Sequence, residues 1–410
     1  MHPHPPKRPY PTNMGRTLLA SLALIYVCAG CTRGDEPRRA VLETYSRIVL
    51  ATYEDSLAAA RELDEAIDAL LANPSEQTLS AARQRWREAR VPYSHSEAFR
   101  FYGGPIDGEG GPEGQLNGWP LDENHIDAVK LDRYGAAPGL NIIGDAQAFP
   151  DITPELIAAQ NEAGGEKNIA SGYHAIEFLL WGQDFNEPPE AAGQRPHTDY
   201  VLSSAAADDV PTRRGAYLKA ASTLLIRDLQ SVIDAWSSQD ATSYRATLVS
   251  GDVYTGLKRM FTGMAALAEV EMAGERMNVP LLSSDQEEEQ SCFSDTTADD
   301  LRANAAGIEH VYFARYQRRD GTTITGPSLA DLIKAADERE AQELESRLQR
   351  TREALAALQD PFDREIRSDN EAGRARVQAA IDALRAEALS FSRGARALQI
   401  FLSDLEGLGD

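Results

Sequence analysis

The strongest constraint on this chain is a hydrophobic repeat of three and four residues that recurs along most of its length. Val41, Tyr45, Ile48, Val49, Tyr53, Leu57, Ile67, Leu70 and Leu71 follow mostly at that spacing, with charged residues between them. Only an α-helix brings positions i, i+3, i+4 and i+7 onto one face. Asn73-Pro74 ends the pattern, since proline lacks a backbone N–H and clashes with the preceding turn. Ser75 stands where it can cap a second helix carrying Leu79, Ala82, Trp86, Ala89, Arg90 and Tyr93. The same period predicts helices over 153–162, 166–181, 212–237, 251–277 and 327–358, with one or two more over 371–405. The alternation of a strand is nearly absent. The expected fold is all-α, in two helical bundles.

From Gly103 to Phe149 the period is lost. "GGPIDGEGGPEGQLNGWPLDENHID" is rich in Gly, Pro and Asp. It is no phosphate loop, because no strand precedes it and no Gly-Lys-Ser/Thr follows. Long irregular stretches inside compact domains are mostly functional or disordered. Trp119, Leu121 and Ile126 predict an ordered loop held to the core of the first bundle. A second polar stretch, 186–199, reads as a connector, which puts the bundles at 38–205 and 206–410.

The N-terminus reads as a targeting segment. Lys7, Arg8 and Arg16 precede an apolar run from Leu18 to Ala29. That run is too short for a bilayer, which takes about 20 residues, and suits a signal peptide over 1–30. Cys28-Ala29-Gly30-Cys31 resembles a bacterial lipoprotein box, with acylation expected at Cys31 and a tether over 31–37. Cys28 stands where such boxes usually carry leucine. Thr32 replaces the aspartate of the usual inner-membrane retention signal, which favours the outer membrane, facing the periplasm or the exterior. With Cys28 removed and Cys31 acylated, Cys292 has no intramolecular disulfide partner.

The net charge of −23 repels phosphate backbones and argues against nucleic acid as a partner. Such an excess chiefly keeps a protein soluble, and Glu287-Glu288-Glu289 reads as a solvated face.

One segment carries chemistry. In "SGYHAIEFLLWGQDF", His174 and Glu177 are three apart, hence neighbours on a helix. Gly172 leaves room for close backbone approach, and Phe178, Leu179, Leu180 and Trp181 exclude water. Imidazole with carboxylate suits zinc or iron. A hydrogen-bonded pair is the commoner use of this spacing.

Gly172, His174 and Glu177 match the Gly-x-His-x-x-Glu motif of the imelysin family, which the chain resembles. Trp86, Arg90, Tyr93, Glu97, Phe99 and Phe101 are similar to a second family segment, 116–127 to its Asn-x-Trp-Pro loop, and 274–300 to its Ser-Cys-Phe-Ser-Asp region. The likeness is greatest to the iron-regulated protein A branch. It implies two bundles related by duplication, although no sequence repeat is evident, with a pocket near the domain interface. It also implies a surface or periplasm-facing lipoprotein linked to iron acquisition.

A metal site needs at least three protein donors. Glu97 is the first choice for the third. Trp119, Asp122, Tyr93, Arg90, Glu275 and Asp295 are the expected pocket residues, and a salt bridge to Arg90 or Arg100 is the competing use of Glu97. His95, His125 and His197 lie near loops or in the connector, and His310 reads as local packing. The principal expectation is a lipid-anchored protein that binds iron, or an iron-bearing ligand such as haem. A zinc metallopeptidase on the same residues is the alternative. It lacks His-Glu-x-x-His and the inverted His-x-x-Glu-His, since residue 178 is Phe. A non-metal adaptor to an outer-membrane receptor is the third reading. Cys292 with His310 as a thiol hydrolase is weakest, because nothing nearby would activate the thiol.

Overall fold

A computed structural model describes residues 35–130, 141–185, 192–202 and 209–402. The signal segment and Cys31 lie outside them. The chain from Pro37 onward forms one compact unit.

The first long helix, α1, spans Glu36–Ala72 and the second, α2, spans Glu76–Ser96. Ser75 caps α2 as expected, accepting from the Thr78 backbone N–H while Thr78 returns a bond to the Ser75 N–H. The Gly/Pro-rich segment contains two short helices, α3 (Glu113–Asn117) and α4 (Glu123–Ile126). α5 is Pro154–Gln160 and α6 is Gly172–Trp181. α6 begins six residues later than the apolar pattern predicts, because Gly165–Ser171 forms turns and extended chain instead.

The second half opens with α7 (Val210–Ser237), α8 (Tyr244–Ser250) and α9 (Val253–Ala266). α9 runs into a π-helical stretch, Leu267–Asn278, and then α10, Val279–Ser283. α11 is Thr297–Tyr312, α12 Leu329–Ala336, α13 Glu338–Ala356, α14 Phe362–Ile366 and α15 Glu371–Ala397. The expected helix over 327–358 is thus two helices, divided where Asp337 accepts from the Glu340 N–H and starts α13. A small antiparallel hairpin, Arg315–Gln317 with Thr323–Thr325, was outside the periodic reading because three residues carry too little alternation.

The class is all-α. α2 and α11 pack along each other, as do α6 and α7. The expected boundary at residue 205 therefore falls between segments that share contacts. α13 and α15 pair farther along, with α15 against the π-helical stretch. Among the described residues no helix is long and apolar enough to cross a membrane.

Candidate metal centre at helix α6

All ten residues of α6 are buried. A helix that is apolar on every side has to be enclosed, and α2, α3 and α7 enclose it. Side chains of α2 and of the 197–200 turn satisfy three of its carbonyls. Trp86 Nε1 donates to Tyr173 O at 2.9 Å, the Tyr200 hydroxyl to Leu179 O at 2.6 Å, and Arg83 Nη2 to Leu180 O at 2.9 Å. Gly172 is obligatory at the entrance. Its φ is +81°, and a Cβ there would lie 2.4 Å from Leu116 O and 2.6 Å from Gln115 O.

His174 Nδ1 and Glu177 Oε2 share a hydrogen bond of 2.8 Å. Glu177 Oε1 accepts from the Ser294 N–H at 2.9 Å and from its hydroxyl at 2.6 Å. The two motif residues therefore bond to each other, which differs from the expectation that both face a single ion. What the pair leaves open is His174 Nε2, a buried ring nitrogen with no hydrogen-bond partner among the described residues. His174 is 1% exposed and Glu177 is fully buried. Burial lifts the Glu177 carboxyl to about 8, against the pull of the Ser294 hydroxyl and Arg90. Burial also holds His174 well below its usual range, and Arg90 and Arg276 add to this. Once Glu177 is ionised, which for a carboxyl at about 8 takes higher pH or a cation on the ring, Nδ1–H donates to it and the lone pair sits on Nε2. Ser294 bonds the carboxylate and not the ring, so this is no nucleophile–base pair.

Arg90 and Tyr93 form a wall beside the motif. Arg90 grips Asp300 with Nε at 3.2 Å and Nη2 at 2.9 Å, and donates to Asn117 Oδ1 at 2.6 Å. Its guanidinium lies 5.2 Å from the Tyr173 ring, which packs against Tyr93 at 4.8 Å with the planes tilted by 45°.

Glu97 is committed elsewhere. It is fully buried and binds Arg276, with Arg100 Nη1 at 3.2 Å and Asn304 Nδ2 at 3.3 Å. Arg276 and Arg100 hold its carboxyl below the ordinary range despite burial. The structure does not bring it to His174 as a third donor. The competing salt-bridge use is the one found, with Arg100 as foreseen and Arg276 in place of Arg90. The π-helical stretch contributes to the same network. Its wider turn lets Glu271 and Arg276, five apart, approach to 3.7 Å.

The remaining expectations divide. Asp122 caps α4, accepting from the Asn124 N–H at 3.0 Å. Trp119 is half-buried, while Leu121 and Ile126 are buried. Glu275 is exposed, which removes it from any pocket; one turn back, Glu271 is the buried acid. Asp295, beside Ser294, has φ +58° and lines a surface cleft of about 460 Å³. Burial and the charges of Asp184 and Asp363 lift its carboxyl to about 7. The reading of Glu287-Glu288-Glu289 as a solvated face is corrected: Glu287 and Glu289 are buried. His125 bonds Gln160 O, and His197 bonds Glu76. Cys292 is buried, and burial raises its thiol, leaving it inert as expected.

The match to known proteins is broad. The family model of imelysin, a peptidase-named family, matches residues 49–391. The chain belongs to the imelysin family. Iron-regulated protein A of Synechococcus elongatus is 25% identical over 359 residues, covering 85% of this chain and 83% of that one. A Parabacteroides distasonis structure, titled as an iron-regulated protein A precursor, superposes with a TM-score of 0.66 at 20% identity, covering 88% of this chain and 95% of that one. An imelysin-like protein from Psychrobacter arcticum gives 0.62 at 16% identity, covering 90% and 98%. These structures share the fold, and the family carries an iron-related role in general.

Sequence reasoning missed Ser294, Asp300, Arg276 and Asn304. Each lies more than 100 residues from the helix it supports, and no local period marks it. Arg276, Ser294 and Asp300 do fall inside the 274–300 segment around Ser-Cys-Phe-Ser-Asp, which was the one available signal.

The donor set fits a metal in one respect. A histidine whose Nδ1 is held by a carboxylate and whose Nε2 is open is the usual metal-binding arrangement. It does not form a closed cage. Among the described residues no three His, Cys, Asp or Glu side chains cluster to hold an ion.

Proposed function

We propose that this chain is an envelope protein that binds iron, with His174 Nε2 as the protein donor and Glu177 as the carboxylate that orients the ring. The single observation behind this is the open Nε2 at the centre of a buried motif. A buried polar atom left unpaired costs about 1–3 kcal/mol, so a bound group that takes up its lone pair is favoured there. With no cluster of further donors beside it among the described residues, the iron keeps ligands of its own, and the helices around α6 must part to admit it. Membership of the imelysin family and the likeness to iron-regulated protein A support iron over other metals. The lipoprotein-like box ending at Cys31 supports an anchored location. A haem group would have to open the helices around α6 to reach Nε2.

The test is elemental analysis of the purified mature protein and of His174→Ala. About one iron per chain, lost in the variant, is expected from a single donor site. Equal iron in both would exclude His174 as the donor. No metal in either would favour the adaptor reading. The sealed surroundings of His174 and the Ser294–Glu177 bond give no support to a peptidase.

A further inference from the structure

A groove between α1 and α8 carries positive charge that no acid neutralises. Arg39, in the first turn of α1, donates to Val249 O at the end of α8. Arg245, at the start of α8, stands with Nε 3.4 Å from Ser46 Oγ farther along α1. The groove so formed has a volume of about 430 Å³. Glu43, Thr44 and Arg47 of α1, Arg245 and Ser250 of α8, and Ser238 after α7 stand on its lining. Gly326 sets the place of Arg47. A Cβ there would lie 2.3 Å from Thr44 Oγ1 and 3.1 Å from Arg47 Nη2, so glycine lets the chain leaving the hairpin cross α1 at this point. Arg47 Nη2 then donates to Thr325 O at 3.2 Å. Neither Arg47 nor Arg245 has a carboxylate partner among the described residues. Acids are plentiful, at 64 against 41 bases in the chain. Arg318 and Arg319, on the same hairpin, are each paired, with Asp55 at 2.9 Å and Glu62 at 2.8 Å.

From this we infer that the groove binds an oxyanion of the phosphate class. The inference rests on neither His174 nor iron. A guanidinium presents a planar fork of N–H donors that matches phosphate oxygens two at a time. Arg47 gives Nη2 to Thr325, and Arg245 gives at most Nε to Ser46, so the rest of each fork is left to a ligand. Ser238 Oγ accepts from the Asp240 N–H at 3.3 Å and keeps its own proton to donate. Arg47 is exposed and Arg245 half-buried, so a solute reaches both. The volume admits a phosphate together with part of the organic group it is esterified to. Glu43 opposes the charge, yet two arginines against one acid leave the lining positive. The chain as a whole, at −23, repels phosphate, so the attraction is confined to this groove.

Calorimetric titration of the full chain with inorganic phosphate at low salt tests this, alongside flotation with phosphatidylglycerol vesicles. Arg47→Gln and Arg245→Gln are each expected to weaken binding about tenfold or more. Glu43→Gln removes the opposing charge and is expected to tighten it, while His174→Ala leaves it unchanged. This pattern with inorganic phosphate supports the site and a soluble phosphate as its ligand. The same pattern in flotation alone supports the site with a lipid headgroup as the source. A lipid anchor at Cys31 is common to every variant, so only differences between variants are read. Equal binding by the wild type and both arginine variants, or no response to either probe, overturns the inference.

Discussion

Glu97 and Glu177 are both buried carboxylates on helical segments that meet the second half of the chain, yet burial acts on them in opposite ways. Glu97 receives two arginines and an asparagine, and its carboxyl is held below the ordinary range. Glu177 receives a serine and a neutral imidazole, and its carboxyl is lifted to about 8. The difference is the charge of the partner. Arginines repay the cost of ionising a buried acid; neutral donors repay it only in part. A fully paired network holds helices together, whereas a half-satisfied pair keeps an atom for something else. Sequence spacing alone cannot separate the two, since both are acids among aromatics.

The largest expected effect comes from breaking the closed network. Arg276→Met takes one of two arginines from both Glu97 and Glu271 in the core. A loss of about 3–5 kcal/mol is expected in denaturant unfolding. Adding Glu97→Gln to Arg276→Met should recover part of it. A loss below about 1 kcal/mol would show that the network is not holding α2 to the π-helical stretch.

A third acid extends the comparison. Glu387 on α15 is buried, with no arginine partner among the described residues, and burial lifts it to about 8. Its folded value exceeds the unfolded one, so its stabilising contribution is complete below the unfolded pKa of about 4.3 and is lost as pH rises through about 8. The cost at pH 7 is on the order of 3 kcal/mol. Glu387→Leu should therefore raise stability at pH 7 and flatten its fall between pH 5 and 8, measured by urea unfolding across that range. A steeper fall in the variant would reverse the assignment.

Ser294→Ala tests the open pair more gently. It removes one hydroxyl bond to Glu177 and keeps the backbone N–H. A cost of about 1 kcal/mol in unfolding is expected, with iron affinity lowered about tenfold or more as the ring loses its fixed orientation. Unchanged affinity would separate Glu177 from the metal.

Much of the fold was legible because helical period is local. α1, the Ser75 cap and the apolar α6 follow from neighbouring residues. The π-helical stretch was not, since its composition continues the α9 pattern and only the backbone register changes. At the site, spacing placed His174 beside Glu177, and Gly172 was read for its proper reason. The Arg100 half of the Glu97 pairing was legible three residues on, but its other arginine was not, because Arg276 is 179 residues away. Glu287 and Glu289 misled for a similar reason: a charge run looks solvated until tertiary packing covers it.

The central claim is that His174 Nε2 is the protein's bond to iron. X-ray absorption at the iron edge of the loaded protein reads it directly. The account predicts the outer-shell scattering of one imidazole in the wild type and its loss in His174→Gln. An all-oxygen iron shell in the wild type, or an imidazole signal that survives the substitution, would contradict it.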